Sequence, residues 1–287
     1  MLSRIAYAKI NLTLEILNKR DDGYHNIRSV MQKVSLSDTL YFDFFDRGDI
    51  FLECDRKVCS AEDNLAYKAA AMFRNKYFNK TGKTFGVHII INKNIPDKAG
   101  LAGGSADCAC VLDCLYETFS GIDYFEIESI ASKLGSDINF CLDRHKSALC
   151  TGRGTEIQDC MPLKDVQILI CVPDYGMKTS DIYKAFDNDP IYFKNDPSGI
   201  VKDLLNAGRT SEIYSLTVNS FAPICESVCK DIAYIKETMF SQGAHAAQMS
   251  GSGSAVYGIF DDDEKMHICF ERLSAQYQKC YICGTVI

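Results

Sequence analysis

Alternation of apolar and polar residues dominates the first 55 positions and predicts β-strands. In the segment "RIAYAKINLTLEIL", the even positions from Ala6 to Ile16 are apolar, whereas the odd positions include Lys9, Asn11 and Glu15. A side-chain period of two is that of a strand, so it places Lys9 and Asn11 on one face, opposite the core. The Asp-Gly turn in "NKRDDGYHN" separates this strand from further strand sequence in "SVMQKVSLSDTLYFDFF".

Helical periodicity appears further along the chain. A helix is predicted in "DNLAYKAAAMFRNKYF", capped by Asp63 or Asn64, and "TFGVHIIINKNIP" predicts a strand. In the next helix Asp107 lies in the predicted first turn, where the helix dipole favours an anion. A further helix is predicted to stop at Gly135. The helix that contains Asp107 has an apolar stripe at helical spacing, made of Cys108, Val111, Leu112, Leu115 and Phe119.

From about residue 150 the pattern restarts, and a domain boundary is predicted there. "VQILICVP" predicts a strand, and "TSDIYKAF" predicts a helix that begins with cap-forming residues. The polar, proline-containing region 186–200 predicts a loop, and helical patterns occupy much of 200–241. "AHAAQMSGSGSAVYGIF" predicts a strand, a glycine-rich turn and a second strand. The predicted domains are therefore 1–150 and 151–287.

Composition is that of a globular protein with a sizeable core. Of the 287 residues, 47% are hydrophobic and 24% are charged. The net charge of −7 argues against a nucleic-acid partner, and the apolar runs fall short of the roughly 20 residues that a membrane helix needs. Fourteen cysteines without a secretory signal pattern predict reduced thiols, most of them small buried hydrophobes, and a cytoplasmic protein. The CxxC at Cys280 and Cys283 has no second pair, so no zinc site is predicted.

The stretch "AGLAGGSADCA" is the strongest candidate for binding chemistry. It joins a predicted strand to a predicted helix, so bare N–H groups and the helix dipole would form an anion site that phosphate can approach closely. A simple tight turn is the alternative. The stretch is not a Walker A loop, and "TGKT" at 81–84 has Tyr77 where the required upstream glycine would stand.

Four further features could serve phosphoryl transfer, and each has a structural alternative. Lys9 could supply a fixed positive charge, or it could lie on a solvated sheet face. Asp137 could accept a hydroxyl proton, or it could cap the helix that follows it. Tyr24 and His25, next to a tight turn, could stack on and hydrogen-bond a planar ring, although a lone histidine is usually incidental. "SGSGS" at 250–254 could be a second backbone cradle or a turn.

Several separated segments resemble the GHMP kinase superfamily, in the right order and over nearly the whole chain. They are "AYAKINLTLEI" with "DDGYHNIRSVMQKVSLSD", then "NIPDKAGLAGGSADCA", "LGSDINFCL" and "MSGSGSAVYGIF". The resemblance implies an α+β, two-domain fold, with an N-terminal domain like domain 2 of ribosomal protein S5 and a ferredoxin-like C-terminal α/β sandwich. The AKINL…DGYH pairing is more specific than the glycine loop. It implies transfer of the γ-phosphoryl group of ATP, with Mg²⁺, to the 2-hydroxyl of cytidine-diphospho-methylerythritol in the non-mevalonate route to isoprenoid precursors.

Roles for individual residues are implied by the same resemblance. Asp137 matches the catalytic base and Lys9 its charged partner. Positions that bind the nucleotide cofactor are matched by Asn64, Lys93, Pro96, Gly100, Leu101, Ala102, Gly103, Gly104, Ser105 and Ala106. Positions that bind the acceptor substrate are matched by Asn11, Tyr24, His25, Tyr183, Gly251 and Gly253. The resemblance implies that Mg²⁺ is bound mainly through ATP, with Ser105 as the candidate protein ligand.

The loop departs from the superfamily's usual GLGGGSS at two positions. Ala102 replaces a glycine, which is tolerable where its φ is negative, and Ala106 replaces the second serine and its hydroxyl. Two other functions stay open. One is another small-alcohol kinase of the superfamily, against which the aromatic pair Tyr24–His25 argues. The other is a catalytically silent nucleotide or metabolite sensor, against which the presence of both Lys9 and Asp137 argues. The sequence leaves monomer and homodimer as alternatives.

Overall fold

The computed structural model describes residues 1–56, 59–176 and 178–287. The chain forms two compact units that interleave along the sequence. Unit 1 comprises residues 1–8, 37–97 and 102–145, and unit 2 comprises residues 9–36, 98–101 and 146–287. Strands β1 (Leu2–Asn11) and β3 (His25–Phe45) therefore each contribute to both units.

In the part of unit 1 that the structure describes, strands combine with four helices. Strand β4 (Ile50–Cys54) runs parallel to β5 (Gly86–Asn92), and β5 runs antiparallel to the second half of β3. Four helices pack on one another, and the apolar stripe predicted for the second of them is buried except for Phe119, which is half-buried. The helices are α1 (Leu65–Thr81), α2 (Gly103–Thr118), α3 (Tyr124–Leu134) and α4 (Ile138–Cys141).

Local capping chemistry sets the ends of these helices. The Asn64 side chain, rather than that of Asp63, caps α1, because its Oδ1 accepts a hydrogen bond from the Ala66 N–H at 2.9 Å. Helix α3 ends at Gly135, as predicted, and the Gly135 N–H donates to the carbonyl of Ala131. Both boundaries were therefore readable from side-chain type.

The start of α2 differs from the prediction in two respects. The helix begins at Gly103, so Asp107 lies just beyond the first turn rather than within it. Ala102 immediately before it has φ +59° and ψ +30°, in the left-handed region. The condition of a negative φ for Ala102 is thus not met. The left-handed conformation costs a residue with a Cβ about 1–2 kcal/mol of conformational free energy, a cost that glycine avoids.

The larger part of unit 2 has a ferredoxin-like topology. Four antiparallel strands lie in the order β10–β11–β8–β12, and helices α8 and α9 pack on this sheet. With α8 preceding the hairpin of β10 and β11, and α9 following it, the topology is βαββαβ, as predicted for the C-terminal half. The elements are β8 (Gln167–Val172), α8 (Lys230–Ser241), β10 (Ala246–Met249), β11 (Val256–Phe260), α9 (Asp263–Ser274) and β12 (Lys279–Gly284).

The remaining strands of unit 2 explain why its first segment comes from the N-terminal part of the chain. Strand β2 (Thr13–Lys19) pairs with the first half of β3 and, in parallel, with β9 (Val218–Asn219). Strand β6 (Ser147–Thr151) pairs with the same half of β3 and with β7 (Glu156–Asp159). A single cut at residue 150 would separate these partners. The predicted domains, 1–150 and 151–287, therefore differ from the two compact units, each of which is assembled from several segments of the chain.

The helical part of unit 2 starts earlier than predicted. The loop predicted over 186–200 is shortened at both ends by α5 (Thr179–Asn188) and α6 (Pro197–Asn206). Proline at the first position of α6 is favourable because its missing N–H is not needed there. A 3₁₀ segment (Thr210–Leu216) and α7 (Ala222–Val228) complete the set. Among the described residues, no helix is both long and apolar enough to span a bilayer.

Most of the fourteen cysteines are buried, as the sequence predicted. Cys280 and Cys283 of the CxxC lie on β12, where the Cys283 thiol donates to the Ile168 carbonyl of β8. Thiols in this protein therefore contribute mainly to packing.

Replacing Ala102 by glycine should stabilise the protein by about 0.5–1 kcal/mol, because relief of the left-handed strain exceeds the added entropy of the unfolded chain. Ala106→Gly, inside the same helix, is the matched control and should destabilise by about 1 kcal/mol. Urea unfolding of both variants measures the difference. Equal losses of stability in the two variants would contradict the strained conformation of Ala102.

Candidate active site

Three segments that the sequence analysis singled out are brought together in unit 2. The backbone N–H of Lys9 donates to the Leu101 carbonyl at 3.1 Å. The hydroxyl of Ser250 donates to the carbonyl oxygen of Gly100 at 2.9 Å. The strand that bears Lys9, the first glycine loop and the second glycine loop are thus joined mainly through backbone atoms, although they lie far apart in sequence.

Glycine is required where the two loops touch. A Cβ built on Gly100 would lie 2.1 Å from the Ser250 carbonyl oxygen, and Gly100 has φ +77°. In the second loop Gly251 has φ +56° and Gly253 has φ +87°, and a Cβ on Gly251 would lie 3.1 Å from the Gly100 oxygen. Glycines cluster here partly because the backbones of the two loops approach each other too closely for a side chain to fit. Ligand contacts of these glycines stay a prediction.

The buried side chain of Asn219 holds the second glycine loop through two hydrogen bonds. The Asn219 amide Nδ2 donates to the carbonyls of Met249 and Gly251, at 2.8 and 2.9 Å, and the residue is 2% exposed. Because both ends of the turn are held by one side chain, its backbone is fixed without a helix or strand of its own. The sequence analysis missed Asn219, which lies on the two-residue strand β9 without a periodic signal.

Lys9 and Asn11 project from the same face of β1, as their spacing predicts. The Lys9 Nζ donates to Asn11 Oδ1 at 2.7 Å, and Asn11 Nδ2 donates to the Ser29 hydroxyl at 2.7 Å. Lys9 and Asn11 are 3% and 1% exposed. The alternative of a solvated sheet face is therefore wrong. Since a buried ammonium needs acceptors, this row of hydrogen bonds orients the Lys9 side chain.

Asp137 lies in unit 1, directly before the short helix α4. Its backbone is helical, with φ −80° and ψ −11°, and its side chain makes no capping hydrogen bond to that helix. An aspartate that caps a helix does so by accepting from the first-turn N–H groups. The capping alternative is therefore wrong, and the role of Asp137 as a base stays a prediction.

The part of the glycine loop in unit 1 forms the N-terminus of α2. Gly103, Gly104 and Ser105 occupy its first three positions, whose N–H groups have no acceptor within the helix. The Ala102 methyl cannot cap them, and a Cβ on Gly104 would meet nothing closer than 3.9 Å. Exposed N–H groups at a positive helix end suit an anion. Ala106 differs, because its N–H already donates to the Ala102 carbonyl at 2.8 Å.

Three residues that match nucleotide-binding positions are buried or make hydrogen bonds and ion pairs within the protein. The Asn64 side chain caps α1, and Pro96 is buried. Lys93 is 6% exposed, and its Nζ lies 2.5 Å from an oxygen of Asp38 and 2.7 Å from one of Asp107. Contact of these residues with a nucleotide stays a prediction.

Opposing effects act on the ionisation of this ion cluster. Burial raises the pKa of Asp107, against the lowering effect of the Lys93 charge, to about 7. For Lys93, burial acts to lower the pKa, but Asp107 and Asp38 outweigh it, so the pKa lies above its ordinary value. Lys93 is therefore held as a cation, and burial disfavours the charged form of Asp107.

His25 and Tyr183, both predicted to contact the acceptor substrate, touch each other in unit 2. Their rings stack with centroids 4.9 Å apart and planes inclined by 29°. The His25 Nε2 lies 2.6 Å from Asp187 Oδ1, and the second oxygen of Asp187 accepts from Lys19. Hydrogen bonds from Lys19 and then His25 hold the pKa of Asp187 below its usual range. A planar ligand can enter between His25 and Tyr183 only if the two rings separate.

Tyr24 presents a different surface. Its side chain is 52% exposed, and the guanidinium of Arg153 lies over its ring, 3.6 Å from the centroid. A cation over a tyrosine face is a favourable contact that fixes the ring. The sequence analysis missed both Arg153 and Asp187, because each reaches its partner from a distant segment.

One hydroxyl oxygen at the start of α2, that of Ser105, fits a metal ion that is held mainly by the phosphates of a nucleotide. Within the parts of the chain that the structure describes, no group of three or more His, Cys, Asp or Glu side chains could hold a metal. Mg²⁺ at phosphate sites is commonly bound through one or two protein oxygens and the substrate phosphates. The half-buried Ser105 offers a hydroxyl oxygen of the kind that Mg²⁺ accepts.

Comparison with known proteins confirms the resemblance. The family model for the GHMP kinases N terminal domain matches residues 64–143, and that for GHMP kinases C terminal matches residues 201–279. A 4-diphosphocytidyl-2-C-methyl-D-erythritol kinase of Clostridium botulinum (strain Alaska E43 / Type E3) is 36% identical over 287 residues, covering 98% of this chain and 99% of the relative. A relative of the same name in Caldanaerobacter subterraneus subsp. tengcongensis is 37% identical over 283 residues, covering 98% and 96%.

A solved structure agrees with these relatives. The crystal structure of a 4-(cytidine 5'-diphospho)-2C-methyl-D-erythritol kinase is 26% identical, covers 99% of both chains and superposes with a TM-score of 0.81. The predicted α+β fold of a GHMP kinase is thus confirmed, as is the prediction of an enzyme that is a small-molecule kinase.

Gly100→Ala should destabilise unit 2 by about 2–4 kcal/mol, because the new methyl would overlap the Ser250 carbonyl in a backbone conformation that suits glycine. Gly104→Ala is the matched control, since its methyl would enter open space at a helical position and should leave stability within about 1 kcal/mol of the parent. Urea unfolding measures both. A Gly100→Ala protein as stable as the Gly104→Ala control would contradict the contact between the loops.

Proposed function

This chain belongs to the 4-diphosphocytidyl-2-C-methyl-D-erythritol kinase family of the GHMP kinases, and from that membership we propose that it phosphorylates 4-diphosphocytidyl-2-C-methyl-D-erythritol with ATP. The accepting group is the 2-hydroxyl, and the product serves the non-mevalonate route to isoprenoid precursors. The observation that carries the proposal is the meeting of the Lys9 strand with both glycine loops. Parts of three segments that identify the family meet in unit 2, whereas "LGSDINFCL", with Asp137, lies in unit 1.

Phosphoryl transfer requires positioning and charge stabilisation more than covalent chemistry. In this proposal, Lys9 provides a positive charge for the transferring group, and its hydrogen bond to Asn11 fixes the direction of the ammonium. The N–H groups at the start of α2 bind phosphate oxygens. Asp137 accepts the proton of the substrate hydroxyl as the new phosphate ester bond forms, and ADP leaves.

The cytidine end of the acceptor supplies binding energy far from the reacting hydroxyl. Tyr24, held by Arg153, and His25, oriented by Asp187, are proposed to contact the cytosine ring. Tyr183 would have to move off His25 to become the second stacking surface. Such remote contacts hold a small polyol hydroxyl in place and so favour turnover as well as binding.

Mg²⁺ is proposed to accompany ATP, held mainly by its phosphates and by the Ser105 hydroxyl. When bound, the ion supplies positive charge that neutralises the phosphate oxygens. The absence of a second serine at Ala106 leaves one protein hydroxyl at this place in the loop. A cytoplasmic location is part of the proposal and is supported by the fourteen cysteines, most of which are buried as small apolar side chains.

Purified protein supplied with ATP and Mg²⁺ should form ADP when the cytidylated polyol is added, and not when free methylerythritol phosphate is added. The cytidine contacts proposed at Tyr24 and His25 are the reason for this selectivity. An assay coupled to ADP formation measures it, with mevalonate and homoserine as further acceptors. ADP formation with one of these acceptors, and none with the cytidylated polyol, would assign a different substrate to the same fold.

Asp137→Asn should lower kcat by about 10²-fold or more, because the amide cannot accept the hydroxyl proton, while KM for ATP stays within about 3-fold. Asp46→Asn, a change of the same chemistry at an exposed position of unit 1, is the control and should retain full activity. Steady-state kinetics in both substrates provide the measurement. Unaltered kcat in Asp137→Asn would remove this residue as the base.

A further inference from the structure

A buried ion cluster lies at the base of the glycine loop in unit 1. It consists of Asp38 on β3, Lys93 directly after β5, and Asp107 on α2, which are 0%, 6% and 3% exposed. The Lys93 Nζ donates to one oxygen of each carboxylate, at 2.5 Å to Asp38 and 2.7 Å to Asp107. Three secondary-structure elements are therefore joined through a single ammonium group.

The cluster holds both ends of the loop. One oxygen of Asp38 accepts hydrogen bonds from the backbone N–H groups of Asn94 and Ile95, at 2.5 and 2.8 Å, where the chain leaves β5. The other oxygen of Asp38 accepts from Lys93, which reaches Asp107, fourteen residues further along, in the helix that follows the loop. The hydrogen bond between the Lys93 and Asp107 side chains thus joins the start of the glycine loop to the helix that follows it.

The first residue of α2 rests directly on this cluster. A Cβ built on Gly103 would lie 3.4 Å from the Lys93 Nζ and 3.0 Å from the Ile95 Cγ2. No side chain fits there without displacing Ile95 or the lysine. The place of the N-terminal N–H groups of α2 therefore depends on the place of the Lys93 ammonium.

Stability alone is a poor reason for such a cluster. Two carboxylates share one ammonium, and the Asp107 Oδ1 is buried without a hydrogen-bond partner among the described residues. Well-packed apolar side chains often stabilise a protein as much as a buried ion group or more. What the ion cluster provides is directional bonding, which fixes geometry at the point where the loop enters the helix.

We propose that Lys93, together with Asp38 and Asp107, is a positioning group for ATP: it holds the N-terminus of α2 against the phosphates and does not itself contact the nucleotide. The inference rests on the proposed function, since it assumes that phosphate binds at Gly103–Ser105. It replaces the direct role implied by the sequence resemblance. Two of the three N–H donors of Lys93 are taken by buried carboxylates, and the residue is only 6% exposed, so little of the ammonium is open to a ligand.

The test uses Lys93→Met, Asp107→Asn, their double variant and Lys93→Arg in the full-length protein. The two single changes should each raise KM for ATP about 10-fold or more, with KM for the cytidylated acceptor changed by less than about 3-fold. Because the cluster acts as a unit, the double variant should be no worse than the poorer single variant. Lys93→Arg, which keeps the cation, should recover most of the ATP affinity.

Lys236→Met is the matched control, because Lys236 pairs with Glu226 on a different part of the protein at 2.7 Å. It should leave KM for ATP unchanged. If Lys93→Met fails to fold, Asp107→Asn carries the test, since the pair of Lys93 with Asp38 remains. Equilibrium binding of ADP, measured by calorimetry, gives the same readout without an acceptor, so a wrong acceptor assignment would not be mistaken for failure of the positioning role.

Two results would overturn the inference. If Asp107→Asn leaves ATP binding intact or tightens it while Lys93→Met abolishes it, Lys93 contacts the nucleotide directly. If the variants melt at lower temperature but keep the parental KM for ATP and the parental affinity for ADP, the cluster serves stability alone.

Discussion

The contact of Gly100 with the Ser250 carbonyl is the constraint on which the rest of the unit 2 site depends. There, one main chain approaches another so closely that no Cβ fits. Ser250 also accepts a hydrogen bond from the Asn11 N–H at 3.3 Å, so one residue connects the second loop to the first loop and to β1. Lys9 and Asn11 lie on the strand that both loops contact, the first loop at the Lys9 N–H and the second at the Asn11 N–H.

A net charge of −7 is compatible with binding a polyanion, because the relevant field is local. Charges further apart than about 8–10 Å in solution are largely screened. The groups that matter are a helix N-terminus and the buried Lys9, whose field is screened much less than that of surface side chains. Overall charge therefore argues against partners that need an extended basic surface, and it says little about a site for one nucleotide.

Local pattern predicted much of this structure, and the misses have physical reasons. The period of two correctly placed Lys9 beside Asn11, but it did not show that both faces of β1 are covered. The cover includes Tyr257, whose hydroxyl donates to the Asn11 carbonyl from far along the chain. Ala102 could not be placed in the left-handed region from sequence, because its φ follows from the path of the loop.

The buried cluster, by contrast, left a readable signal. Asp38 has the same parity as the buried Leu36 and Leu40 on β3, so alternation alone places a carboxylate on the apolar face. Lys93 likewise continues the parity of the buried Ile91 after β5. Two opposite charges on apolar faces of neighbouring strands predict an ion pair, and the third member, Asp107, could have been sought at helical spacing from the loop.

The interleaving of the two units limits how the chain can be divided. Residues 9–36 pair with β6 and β9, which lie beyond residue 145, so a fragment that ends near 150 would contain β2 without the strand β9 at its edge. Exchanging one unit between related kinases would require three joined segments rather than one half of the gene. Any insertion or truncation meant to separate nucleotide binding from acceptor binding meets the same restriction.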